Sequence, residues 1–181
     1  MVSETSTKDR ELLVKALREG IDVERKGEEF YRASVDKVEN PHGKLTLGFL
    51  AKEERRHREY LEGMLRALEA EGPLTESPLP GRSRLDKEEI LDRMRRMGVK
   101  LQVPEENKEI VRRAMEVEKK SIDFYRALAD RMGDPGPGLR RVFEGLAQEE
   151  KNHLEWLEFI IDALELHGYW YDLESHFALE G

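Results

Sequence analysis

Residues 50–57 read LAKEERRH, and residues 146–153 read LAQEEKNH. In each stretch a glutamate and a histidine stand three positions apart. On an α-helix this spacing puts both side chains on one face, within reach of one cation. A single Glu-x-x-His pair means little in a chain with 39 acidic residues, but its repetition predicts two neighbouring metal ions.

The segment that precedes each pair is repeated as well. Residues 22–33 (DVERKGEEFYRA) align without a gap onto residues 116–127 (EVEKKSIDFYRA). Each copy contributes a lone glutamate, Glu24 or Glu118, on the helix before the one with the Glu-x-x-His pair. A duplicated helical hairpin is the simplest account of the two halves.

Apolar residues at helical spacing predict an all-α fold with a single domain over residues 1–181. We expect four long helices, at about residues 8–38, 43–71, 104–132 and 138–167. The first two form one antiparallel hairpin and the last two form another. Residues 72–103 then form a long crossover with a short extra helix at 87–97. The aromatic tail at 168–181 is expected to pack on the bundle or on a second subunit.

Composition excludes several classes of partner and site. The net charge of −8 argues against nucleic acid, because a phosphate backbone attracts a basic surface. The absence of cysteine excludes disulfides, iron–sulfur clusters and sites in which cysteines bind iron or zinc. No apolar run is long enough to span a membrane, and the polar start of the chain contains no signal peptide. We therefore expect a cytoplasmic protein.

Six residues on the four predicted helices form one constellation: Glu24, Glu54, His57, Glu118, Glu150 and His153. This set resembles the di-iron carboxylate pattern of the ferritin-like superfamily, and the rubrerythrin group in particular, over about residues 12–167. The resemblance implies a ferritin-like four-helix bundle whose two hairpins are joined by the crossover. It also implies that Glu24 and Glu118 are terminal ligands of one metal each. On the same resemblance, Glu54 and Glu150 would bridge the two metals, and each histidine would bind one of them.

The residue types also suit such a site without the resemblance. Four carboxylates balance two divalent cations, so a buried site that holds both ions is neutral. Without the metals, adjacent carboxylates raise one another's pKa and take up protons. Oxygen-rich ligands with one imidazole per metal suit two iron ions or two manganese ions, whereas zinc binds adventitiously.

Several further residues are candidates for a role near the metals. The resemblance implies that Tyr31 and Tyr125 hydrogen-bond a metal-binding glutamate, and a simple packing role is the alternative. Gly27 either lets a neighbouring helix approach closely or is a tolerated weak point. Glu28 is a candidate extra carboxylate, although a surface position is favoured. A metal role is least expected for the remaining histidines, His42, His167 and His176.

Two departures from the rubrerythrin pattern bear on function. Rubrerythrins have a second iron site made of two Cys-x-x-Cys pairs, which this chain cannot form. The electrons that a di-iron site in this chain uses then have to come from an external donor, such as a rubredoxin-like protein or a flavoprotein reductase. Where the family has an extra glutamate one turn past the lone glutamate of the third helix, this chain has Ser121. A mechanism in which a metal shifts between a histidine and that glutamate therefore lacks the glutamate in this chain.

Three functional classes fit this pattern. The favoured one is a redox enzyme that reduces hydrogen peroxide or dioxygen. The second is an iron-handling protein that oxidises ferrous ions, as the ferritin side of the superfamily implies. The third is a structural or interaction bundle that binds metal only for stability. The aromatic tail and the resemblance also lead us to expect a homodimer.

Overall fold

The structure, a computed structural model, describes residues 7–70, 104–132 and 137–166. Within these residues it consists of four long helices without a strand: α1 (Thr7–Val35), α2 (Pro41–Glu69), α3 (Glu105–Met132) and α4 (Pro137–Leu166). The prediction of an all-α four-helix bundle is thus confirmed. The predicted crossover at 72–103, with its helix at 87–97, and the tail at 168–181 lie outside the described residues.

The end of α1 comes earlier than the predicted position near residue 38. Beyond Val35 the chain forms a tight turn, in which the Lys37 N–H donates to the Ser34 carbonyl at 3.1 Å. The Val38 N–H likewise donates to the Val35 carbonyl at 3.4 Å. Such hydrogen bonds between residues three apart commonly close the last turn of a helix.

The start of α2, at Pro41, comes slightly earlier than the predicted position near residue 43. Asn40 is extended, with φ −63° and ψ 126°, as expected for a residue before a proline. Its side-chain oxygen accepts hydrogen bonds from the backbone N–H groups of His42 (2.9 Å) and Gly43 (3.2 Å). Pro41 stands in the first turn, where its missing N–H costs nothing. Asn40 and Pro41 therefore form the capped beginning of α2.

The core holds two apolar clusters. α1 packs against α2, α3 packs against α4, and α1 also contacts α3. One cluster surrounds Trp156 and includes Tyr31, Leu50 and Ile160. The other surrounds Phe143 and includes Leu17, Leu61 and Leu128. Burial of each such side chain contributes about 1.5–3 kcal/mol.

A layer of buried polar residues separates the two clusters along each helix. In α1, for example, Glu24 lies between Leu17 of the Phe143 cluster and Tyr31 of the Trp156 cluster. In α2, His57 lies between Leu50 and Leu61 in the same way. The polar layer is therefore enclosed by apolar packing at both ends. None of the described helices has the apolar length that crossing a membrane requires.

Candidate metal centre

The six predicted ligands meet in this polar layer. Their relative exposure is between 0% and 2%. Their donor atoms form two groups whose members lie within 4.8 Å of one another: Glu24, Glu54, His57 and Glu150, and Glu54, Glu118, Glu150 and His153. Glu54 and Glu150 belong to both groups, whereas each of the other four belongs to one. This arrangement offers two adjacent cation positions with two shared carboxylates.

Both histidines turn Nδ1 towards the carboxylates. His57 Nδ1 lies 3.4 Å from Glu24 Oε2 and 3.2 Å from Glu150 Oε1. His153 Nδ1 lies 3.2 Å from Glu54 Oε1 and 3.6 Å from Glu150 Oε2. The two imidazole rings stack, with centroids 5.4 Å apart and planes 13° apart. The same ring nitrogen of each histidine is therefore available to a cation between the carboxylates.

Several donor atoms of the cluster lack a hydrogen bond among the described residues. They include one oxygen each of Glu24, Glu54 and Glu118, both oxygens of Glu150, and Nδ1 of both histidines. A buried polar atom without a partner costs free energy, and a buried charge costs more. Two divalent cations would satisfy these atoms and neutralise the four carboxylates, so the residues present fit a dinuclear metal site.

The electrostatics of the cluster show what the protein does without cations. Burial and the neighbouring carboxylates raise the pKa of Glu54 and Glu150 well above the usual range. Burial acts to lower the pKa of His153, but the nearby Glu118, Glu150 and Glu54 outweigh it and raise that pKa strongly. Burial acts to raise the pKa of Glu118, but contacts with His153 and Glu150 produce a net decrease. The metal-free cluster therefore retains protons to a higher pH than isolated side chains of these types do.

Two buried tyrosines hydrogen-bond this cluster, and they do so across the two hairpins. The Tyr31 hydroxyl, from α1, donates to Glu118 Oε1 on α3. The Tyr125 hydroxyl, from α3, donates to Glu24 Oε1 on α1. Burial and the adjacent carboxylates raise the pKa of both phenols well above 10, so both remain hydrogen-bond donors. Both side chains are also fully buried in the apolar clusters, so packing and hydrogen bonding coexist.

Gly27 lies where the shared carboxylate of Glu54 approaches the backbone of α1. A Cβ atom at this position would stand 2.2 Å from Glu54 Oε2 and 3.0 Å from Glu54 Cδ. No side chain fits at that distance. The structure therefore favours the close-approach interpretation of Gly27.

Glu28 is not the surface residue that the sequence favoured. Its relative exposure is 8%. Arg58 of α2 reaches its Oε2 with Nη2 at 3.0 Å and with Nε at 3.2 Å, and Arg32 lies 3.4 Å from its Oε1. Glu28 belongs to neither group of candidate ligands. It is buried because a cation from the neighbouring helix neutralises it, which spacing within α1 cannot reveal.

Sequence reasoning missed a second set of polar residues beside the site. Glu53 and Glu149 precede Glu54 and Glu150 and have relative exposures of 1% and 6%. Arg56 Nη2 lies 2.9 Å from Glu53 Oε2, 3.8 Å from Glu149 Oε2 and 3.4 Å from His57 Nε2. The available signal was the doubled glutamate in both copies of the motif.

The remaining histidines are not part of the described site. His42 is exposed in the first turn of α2 and belongs to neither ligand group. His167 and His176 lie outside the described residues.

Comparison with known proteins agrees with this architecture. A family model described as rubrerythrin matches residues 109–176. The second hairpin of the chain is therefore similar to rubrerythrin. The match covers the second hairpin and extends past α4, and it includes two candidate terminal ligands, Glu118 and His153, and the shared Glu150. No curated protein matches the chain.

A solved structure also resembles this chain. It is described as a hypothetical protein from Pyrococcus furiosus and superimposes with a TM-score of 0.57. The alignment has 20% sequence identity and covers 93% of this chain and 97% of the other. At this level of identity the likeness supports the fold alone. The lack of cysteine separates this chain from proteins with a cysteine-bound iron site.

Proposed function

We propose that this rubrerythrin-like protein is a di-iron redox enzyme that reduces hydrogen peroxide with electrons from an external donor. The observation that carries the proposal is the pair of four-residue groups that share Glu54 and Glu150. Four buried carboxylates and two buried imidazoles suit iron or manganese better than softer metals. Zinc would bind such ligands only adventitiously.

The proposed reaction requires only a ferrous ion pair, hydrogen peroxide, protons and an external reductant. When bound, two ferrous ions supply the two electrons with which one hydrogen peroxide and two protons become two waters. An external reductant, such as a rubredoxin-like protein or a flavoprotein reductase, then returns two electrons. The chain has no cysteine with which to bind a second iron centre of the rubredoxin type. The donor is therefore proposed to be a separate protein.

The protein's own residues would hold and orient the metal pair. In Glu24 and Glu118 the Oε1 atom accepts a tyrosine hydrogen bond, while Oε2 has no hydrogen-bond partner among the described residues. Each terminal glutamate thus offers one oxygen to a cation, and its tyrosine fixes the carboxylate plane. The apolar clusters on both sides exclude bulk water, which strengthens these electrostatic interactions.

The experiment compares two oxidants on the reconstituted protein. The chain is loaded anaerobically with ferrous iron and then receives hydrogen peroxide or air, while the near-ultraviolet absorption of the oxidised iron pair is followed. We expect peroxide to oxidise the iron much faster than air. Glu150→Ala should abolish the signal, and Glu144→Ala, on the exposed side of the same helix, should leave it intact.

The outcomes separate the functional classes. Equal oxidation by air and peroxide would replace the peroxidase by an oxidase or an iron-handling protein. A protein that binds two irons but reacts with neither oxidant would be a bundle stabilised by metal. A wild-type chain without stoichiometric iron or manganese would overturn the proposed site.

A further inference from the structure

The surroundings of the two histidines differ on the side away from the carboxylates. His57 Nε2 lies 3.4 Å from the guanidinium nitrogen Nη2 of Arg56. The corresponding residue before His153 is the neutral Asn152. Asn152 accepts a hydrogen bond from Gln148 at 3.1 Å, and His153 Nε2 has no hydrogen-bond partner in the described part of the chain.

A guanidinium is an unfavourable neighbour for a metal-bound imidazole. A neutral histidine that binds a cation through Nδ1 carries its proton on Nε2, where an acceptor stabilises it. Arg56 has only donors and keeps its positive charge. At 3.4 Å from Nε2 it therefore offers the proton of a metal-bound His57 no acceptor. A cation bound by Nδ1 of His57 also experiences the charge of Arg56.

Two buried carboxylates hold Arg56 in this position. Glu53 and Glu149 approach its Nη2 from α2 and from α4, at 2.9 Å and 3.8 Å. Only 25% of the Arg56 side chain is exposed, so solvent screens its charge weakly. Glu53 and Glu149 occupy equivalent positions in the two halves, but the counterpart of Arg56 is the neutral Asn152. Arg56 therefore makes the two metal positions unequal.

We infer that Arg56 lowers the affinity of the metal position at His57, so that the position at His153 fills first. The inference rests on the proposed dinuclear site and adds an order of filling to it. Arg56 is a positioning residue in this account, because it acts on the metal through His57. The position at His57 then holds the more readily lost of the two ions.

The test is an anaerobic titration of the metal-free protein with cobalt(II), followed by visible absorption and by calorimetry. Cobalt(II) replaces ferrous iron as a probe with a colour and without oxidation by trace oxygen. We expect two binding steps in the wild type. Arg56→Gln should tighten the second step by about tenfold or more and leave the first unchanged, since neighbours of a metal ligand commonly change affinity by 10–100-fold.

Three variants serve as controls. Arg56→Lys keeps the charge and should retain most of the weakness of the second step. Arg58→Gln removes an arginine of the same helix with a similar exposure, 22%, that faces Glu28, and should change neither step. Asn152→Arg places the charge beside His153 and should weaken the first step.

The position that fills first is identified by removing each histidine. His57→Ala should leave the first step intact, and His153→Ala should weaken it. Two steps that Arg56→Gln does not alter, or that Arg58→Gln alters equally, would overturn the role of Arg56 while the dinuclear site stands. A wild type that binds fewer than two ions would instead refute the proposed site itself.

Discussion

At the residue scale, each tyrosine hydrogen bond occupies one oxygen of Glu24 or Glu118 and leaves the other without a partner among the described residues. Tyr31 and Tyr125 follow Glu24 and Glu118 at the same spacing in the two halves, yet each donates to the glutamate of the other half. This exchange links α1 to α3, which have the lone glutamates. The motif indicated a hydrogen bond near the site, but only the packing of the helices decides which glutamate accepts it.

Gly27 provides a residue-scale prediction. Gly27→Ala should displace the Glu54 carboxylate, since the new Cβ would lie 2.2 Å from Oε2, and metal binding should weaken. Alanine otherwise favours a helix over glycine by about 1 kcal/mol. Gly48→Ala, in α2 with nothing within 4 Å of the added Cβ, is the matched control. It should raise the midpoint of urea unfolding without changing metal content. Full metal binding by Gly27→Ala would contradict the close approach.

Residues beside the ligands show where sequence reasoning ends. The six candidate ligands were predictable because helical spacing and repetition both constrain them. Arg56 and Glu28 were not, since each also has a partner on another helix: Arg56 approaches Glu149 of α4, and Glu28 meets Arg58 of α2. Contacts between helices depend on how the helices are rotated about their axes, which a single sequence does not specify.

At the element scale, the beginning of α2 depends on one cap. Glu54 and His57 both extend from α2, so the position of this helix affects both metal positions. The sequence predicted that α2 begins near residue 43, and the structure begins it at Pro41. The asparagine before this proline fits an N-cap.

Asn40→Ala should lower the free energy of unfolding by about 1 kcal/mol. The change removes the oxygen that accepts from the His42 and Gly43 N–H groups. Chemical denaturation of the metal-free protein measures the effect. Asn40→Asp keeps the acceptor and should be neutral or stabilising. Equal stability of the alanine variant and the wild type would show that the cap is dispensable.

At the scale of the whole molecule, the core combines apolar packing with a costly acidic centre. The clusters around Trp156 and Phe143 flank the polar layer and stabilise the bundle around it. The all-α fold was predictable from apolar residues at helical spacing. This pattern is easy to recognise because the four helices are 28 to 30 residues long. The crossover and the tail lie outside the described residues, so their predicted conformation stays a prediction, as does the homodimer.

The acidic centre predicts how stability varies with pH in the metal-free protein. Glu54, Glu150 and His153 have raised pKa values when folded, so the folded state binds protons that the unfolded chain releases. Their stabilisation is present at low pH and is lost as pH rises, by about 1.4 kcal/mol per pH unit for each proton. The pKa of Glu118 is lowered instead, so its stabilisation is present above the ordinary glutamate pKa and is lost only as pH falls below it.

We therefore expect the metal-free protein to be less stable at about pH 8 than at about pH 5.5. With metal the trend should reverse, because cations bind the deprotonated ligands more tightly as pH rises. Thermal unfolding with and without a chelator measures both slopes. Glu150→Gln should flatten the metal-free slope. Stability that increases with pH in the absence of metal would contradict the proton-retaining cluster.

The most direct test of the dinuclear site is the iron content after anaerobic reconstitution and removal of free metal. The account predicts two irons per chain in the wild type and the loss of most of them in Glu54→Ala and in Glu150→Ala, because each carboxylate serves both positions. Glu59→Ala, on the exposed face of α2, should retain two. Wild-type iron content in both variants would contradict the central claim that Glu54 and Glu150 are shared by two metal ions.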